Sequence, residues 1–105
     1  MTDKRITLAT AGSREEAERL AEALVERRLA ACVNVVGPMR SVYRWQGAVE
    51  RADEFLLLIK STAAQFAAVA AAIQELHSYE LPECVELTIT AGSDAYLKWL
   101  AENVK

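Results

Sequence analysis

Hydrophobic positions along the chain change their period several times, and each change predicts an element. Arg5 to Ala11 alternates weakly, with Ile6 and Leu8 on one face and Thr7 and Ala9 on the other, which fits a first strand ended by Gly12. Ser13-Arg14-Glu15-Glu16 has the form of a capping box, in which Ser13 accepts from a free N–H and Glu16 reaches back. Ala17, Leu20, Ala21, Leu24 and Val25 then recur at helical spacing, with Glu and Arg opposite them. That helix should end near Arg28, whose cation suits a helix C-terminus, and its charged face reads as a solvated surface.

The middle of the chain organises the rest. Ala30 to Val36 is an apolar run broken by the turn-prone pair Gly37-Pro38, and Ser41 to Trp45 is again strand-like. A tight turn at Gln46-Gly47 leads back through Ala48-Val49 to Phe55-Leu56-Leu57-Leu58-Ile59, closed by Lys60. These two arms read as one long β-hairpin. Strands usually run about 5–6 residues, so arms of this length should project beyond the domain that carries them.

Thr62-Ala63-Ala64-Gln65 is a second capping-box form. The helix it starts, Ala63 to about Leu76, carries Phe66, Val69, Ala70, Ile73 and Leu76 on one stripe and mostly alanine elsewhere. His77 to Pro82 reads as a loop. Glu83 to Ala91 alternates, with Val85, Leu87 and Ile89 forming the apolar face of a last strand. Gly92 turns the chain, Ser93 is an N-cap, and Asp94 to Val104 makes a final helix whose Leu97, Trp99 and Leu100 suit packing.

The order is β-α-β-β-α-β plus a terminal helix, an α+β chain in the ferredoxin-like, split-βαβ arrangement with a projecting hairpin. Both helices should then cover one face of an antiparallel sheet. Phe55 to Ile59 is apolar on both faces, whereas an open-faced strand alternates. Another subunit is the expected cover, with Tyr43, Trp45 and Phe55 as interface anchors.

At 105 residues the chain is expected to form one domain, residues 1–105. Its net charge is −3 with the signs interspersed, so no nucleic-acid partner is expected. No apolar run approaches the roughly 20 residues of a membrane span. The first residues show no apolar leader pattern, and the two cysteines are expected to be reduced, which together predict a cytoplasmic protein.

Chemistry-bearing side chains concentrate at His77, Tyr79, Glu80, Glu83 and Cys84. Imidazole, carboxylate and thiolate are ligands for divalent metals, and imidazole with thiolate favours copper or zinc over magnesium. With one histidine and no C-x-x-C, a single chain can hardly close a zinc site. His77 reads first as a helix-terminal residue bonded to carbonyls, and Cys32 first as a small buried hydrophobe, with metal ligation second for each. The four glycines are scattered and no serine sits in a nucleophile elbow, so no enzyme is expected.

Ala30-Ala31-Cys32-Val33-Asn34, Ser41-x-Tyr43-x-Trp45-x-Gly47, Glu50, Glu54 and Lys60 resemble the CutA family of divalent-cation tolerance proteins. His77-Ser78-Tyr79-Glu80-Leu81-Pro82-Glu83, Gly92 and Tyr96-Leu97-x-Trp99-Leu100 continue the resemblance. It implies a ferredoxin-like subunit, a homotrimer and a link to divalent metal, copper above all, with His77, Cys32 and Glu80 as the candidate ligands. Three departures stand out: Ser78 where the family usually has proline, Ala9 where relatives carry a thiol, and Leu76 where a second histidine would stand. Packing in the family's manner would also place Tyr43, Trp45, Glu50 and Lys60 near Glu80. That gives an alternative reading, by architectural analogy alone, as a PII-like signalling trimer that binds a small anionic ligand between subunits.

Overall fold

Apolar residues on alternate positions of the first and third strands bring the sheet and the helices together. The computed structural model describes residues 2–105. Its elements are β1 (Lys4–Ala11), α1 (Arg14–Glu26), β2 (Cys32–Trp45), β3 (Ala48–Thr62), α2 (Phe66–Leu76), β4 (Val85–Thr88) and α3 (Asp94–Glu102). The strands form one antiparallel sheet in the order β2-β3-β1-β4. This is the expected α+β, ferredoxin-like arrangement.

Register fixes the two faces. Thr7 stands opposite Ile59 and Ala9 opposite Leu57, and all four are buried with Leu20 and Leu24 of α1 and Val69 and Ile73 of α2. On the other face Ile6, Leu8, Leu56 and Leu58 continue into Val36, Val85 and Leu87, and the last three are about half exposed. β3 is therefore apolar on both faces, as expected, and one of them remains only partly covered within the chain. The short α3 packs against β1 and β3, burying Leu100 and Val104 with Ala31.

The hairpin projects along a molecule of 44 × 25 × 22 Å. Gln46 and Gly47 have φ of 50° and 83°, the pair of left-handed residues a tight two-residue turn needs. Gly37-Pro38 does not break the arm. The strand runs through it as a β-bulge between Val36 and Met39, with the X-Pro bond cis. Proline lacks an N–H for the ladder and a bulge leaves that position unpaired. A Cβ on Gly37 would stand 2.7 Å from the Phe55 ring, so the bulge needs a glycine there.

Other local expectations change on folding. Ser13 does cap α1, accepting from the Glu16 N–H at 3.1 Å, but the Glu16 carboxylate turns away to the α2–β4 loop. Thr62 makes no side-chain cap; the chain opens with a 3₁₀ turn at Ala63–Gln65, and the Gln65 amide donates to the Lys105 carbonyl instead. Arg28 adopts φ 59° just beyond α1, and its guanidinium donates to Glu102 O at the end of α3 at 2.9 Å. The last strand is only Val85–Thr88; past it a single backbone bond, Ile89 N–H to Lys4 O at 3.1 Å, still ties the chain to β1. Trp99 does not face the core: it is 42% exposed beside Tyr96, while Leu100 of α3 and Val104 just beyond the helix take the buried positions.

Leu57 is fully buried at the centre of the core. Leu57→Ala should lower unfolding stability by roughly 2–5 kcal/mol. A urea titration should show the midpoint falling at constant slope.

Candidate functional site

Three segments meet beside the base of the hairpin: the end of β1, the middle of the β2–β3 ladder, and the loop after α2. His77 caps α2, its N–H bonded to Ile73 O at 2.9 Å. Its ring is buried, with Nε2 2.6 Å from Thr10 O and Nδ1 accepting from the Tyr79 N–H at 3.0 Å. Because Nδ1 accepts, Nε2 carries the proton and donates to the Thr10 carbonyl. The imidazole thus pins the loop to β1 through both nitrogens.

Glu16 holds the same loop from the helix side. Its carboxylate accepts from the Ser78 N–H at 2.7 Å and the Ser78 hydroxyl at 2.9 Å, with His77 Nδ1 3.7 Å away. Burial alone would push the Glu16 carboxyl up. The two Ser78 donors, with His77 and Arg19 nearby, outweigh it and hold the group below its ordinary 4.5. A proline at position 78 would supply neither donor, so this fastening belongs to a chain with serine there.

Tyr79 extends the loop across the sheet. Its hydroxyl donates to Glu54 Oε2 at 2.8 Å, and its ring stacks against His77 at a centroid distance of 4.5 Å. Burial and the Glu54 carboxylate push the phenol well above its ordinary range, so it stays a protonated donor. Between this loop and the hairpin lies a cleft of about 660 Å³. Tyr43, Trp45, Glu54, Tyr79, Glu80 and Glu83 give it aromatic walls and a rim of carboxylates.

The structure gathers some of the expected site residues and separates others. Tyr43, Trp45 and Glu80 share the cleft. Cys32 opens β2 opposite Lys60, half-buried on the sheet face away from the helices, with Sγ 3.9 Å from Asn34 Oδ1. Lys60 Nζ donates to the same Asn34 oxygen at 2.7 Å. Glu50 lies opposite Tyr43 near the hairpin tip, ten residues of strand from Lys60, roughly 30 Å in extended chain. Phe55 points to the helix side, under the Arg14 guanidinium at 4.8 Å, and packs on the core. His77, Cys32 and Glu80 are not brought together, and among the described residues no group of three His, Cys, Asp or Glu side chains could hold a metal ion. Cys84 is a free thiol whose acidity burial suppresses.

Sequence reading passed over the roles of Glu54 and Glu16. For Glu54 a signal existed: it continues the Leu58, Leu56 alternation, placing a carboxylate next in line after two leucines on one face of the strand. Glu16 gave none beyond its capping-box position.

This geometry defines a class: a ferredoxin-like fold with a side cleft built on its long hairpin and no metal-ligand cluster among the described residues. The family model described as CutA1 divalent ion tolerance protein matches residues 5–103, and the chain belongs to that family. A divalent-cation tolerance protein CutA of Thermus thermophilus is 47% identical over 100 residues, covering 95% of this chain and 97% of that one. The solved structure of a divalent cation tolerance protein from that organism superposes with a TM-score of 0.95 at 46% identity, covering 97% and 99% of the two chains. A CutA structure from Archaeoglobus fulgidus, described as a periplasmic divalent cation tolerance protein, gives a TM-score of 0.94 at 38% identity over 97% and 99% of the chains.

The charged Glu16 stabilises the fold above its unfolded value of 4.5, and that contribution disappears as pH falls through the lower folded value. Denaturation midpoints should therefore separate wild type from Glu16→Gln at pH 7, with the gap narrowing as pH falls below 4.5. A gap independent of pH would show that Glu16 acts through packing alone.

Proposed function

We propose that this chain is a homotrimeric binding protein of divalent-cation tolerance, that copper is the ion it takes, and that the ligands come from more than one subunit. Membership of the divalent ion tolerance family across residues 5–103 carries the reading. The subunit supports it in two ways. Val36, Val85 and Leu87 leave an apolar sheet face uncovered, the kind of surface that self-association buries. Cys32 stands on that same face, so a symmetric assembly repeats its thiol once per copy and supplies a ligand count that one chain lacks.

In this reading thiolate softness selects copper over magnesium. His77 is bonded to Thr10 and Tyr79 through both ring nitrogens, so its part is to position the loop that bears Glu80. No reaction is assigned to the protein; it binds and does not turn over. The alternative, an anionic ligand held by Lys60 with Tyr43, Trp45 and Glu50, has less behind it. Lys60 lies outside the cleft, whose charged lining is carboxylate only.

Titration calorimetry of the purified assembly with copper(I) under reductant, beside zinc and magnesium, tests the metal assignment. Saturable copper uptake at a whole-number ratio per subunit should disappear in Cys32→Ser. Weak, non-saturating uptake unchanged by that substitution would overturn it. Assembly has its own test. If neighbours cover the apolar face, unfolding and dissociation are coupled, and the melting temperature should rise across a hundredfold range of protein concentration.

A further inference from the structure

Arg28 stands just past the cap of α1 with φ 59°, in the left-handed region. Glycine is the common residue at that position, because any side chain adopts the conformation at a cost. What holds the arginine there comes from the other end of the chain. Its guanidinium donates to Glu102 O at 2.9 Å, and its carbonyl accepts from the Lys105 N–H at 2.9 Å. A long cationic donor suits the free carbonyls at the end of α3, and glycine would supply none.

α3 has few other supports. Nine residues are too few for a helix to be stable alone in water. Leu100 of α3 and Val104 beyond it pack on Ala31, in a cluster distinct from the main core under α1 and α2. The Gln65 amide adds one bond to Lys105 O. Elements tied on by so few buried contacts are the ones that open before the rest of a fold.

We infer that residues 94–105 form a strap that opens as a unit of its own, with Arg28 as its catch. What the strap holds is the entry to β2. Ala31 sits against Leu100 and Val104, its N–H donates to Lys60 O at 2.9 Å, and Cys32 follows directly. Opening uncovers Ala31 and frees the Arg28 turn, so the presentation of the Cys32 thiol varies with the state of the strap. The value of that control for metal binding rests on the copper reading, whereas the strap stands without it.

Native-state hydrogen exchange of the purified assembled protein, read by NMR, tests the inference. The amides of Leu97, Asn103 and Lys105 should share one opening equilibrium and exchange at least about tenfold faster than the amides of β1 and β3. Arg28→Gly relaxes the left-handed turn while removing the guanidinium contact. Exchange at Ala31, Asn103 and Lys105 should rise about tenfold in that variant, with the amides of β1 and β3 unchanged or slower. Val104→Ala, which leaves the turn alone, should accelerate the same three amides by about tenfold or more. Strap amides that exchange at the rate of β1 and β3, or an equal acceleration of both groups in either variant, would reveal a single cooperative unit and overturn the inference. Strap amides unchanged in both variants would overturn it too. Failure of copper to bind would leave every one of these readings as it is, so a failed metal assignment and a failed strap are told apart.

Discussion

The β3 strand pairs with β1 on one side and β2 on the other, and the rest of the molecule depends on that double pairing. Its register with β1 sets Leu57 and Ile59 against Ala9 and Thr7 under the helices. The same alternation sends Leu56 and Leu58 to the opposite face, and a slip of one residue would exchange the two sets. Beyond the sheet proper β3 continues as one arm of the hairpin, so the core's register also determines where Tyr43 and Trp45 end up. Fold and site share one set of hydrogen bonds.

A second constraint is the fastening of the α2–β4 loop. Imidazole, serine hydroxyl and phenol each reach a different element: His77 to β1, Ser78 to α1 through Glu16, and Tyr79 to β3 through Glu54. Three consecutive residues thus hold the loop to three parts of the framework. The cleft wall they build is pre-formed, and a ligand there would meet little ordering cost. The histidine looks like chemistry in a one-dimensional reading, yet in the fold both its nitrogens serve the architecture.

A single copy of this chain brings no metal-ligand cluster together among the described residues. A soft metal needs thiolates converging at short distance, and the single chain offers one on an uncovered face. The cleft gathers carboxylates and aromatic rings within one chain. Glu54, Glu80 and Glu83 line the cleft, yet none of them joins a chelating cluster among the described residues.

Alternation and turn chemistry alone determined the element order, the Gln46-Gly47 turn, the Ser13 and Ser93 caps and the doubly apolar strand, since each is set by neighbours a few residues away. The resemblance carried by short blocks such as Ser41 to Gly47 identified the family. What the tertiary structure decided were choices between competing partners. Glu16 could close its own capping box or bond Ser78, Thr62 and Gln65 could cap α2 or leave it to a 3₁₀ turn, and Trp99 or Leu100 could face the core. The same holds at the cleft, where Glu54 and Tyr79, 25 residues apart, meet only because β3 and the His77 loop are folded together. Local pattern specifies which groups must find partners; only the packed chain specifies which partners they find.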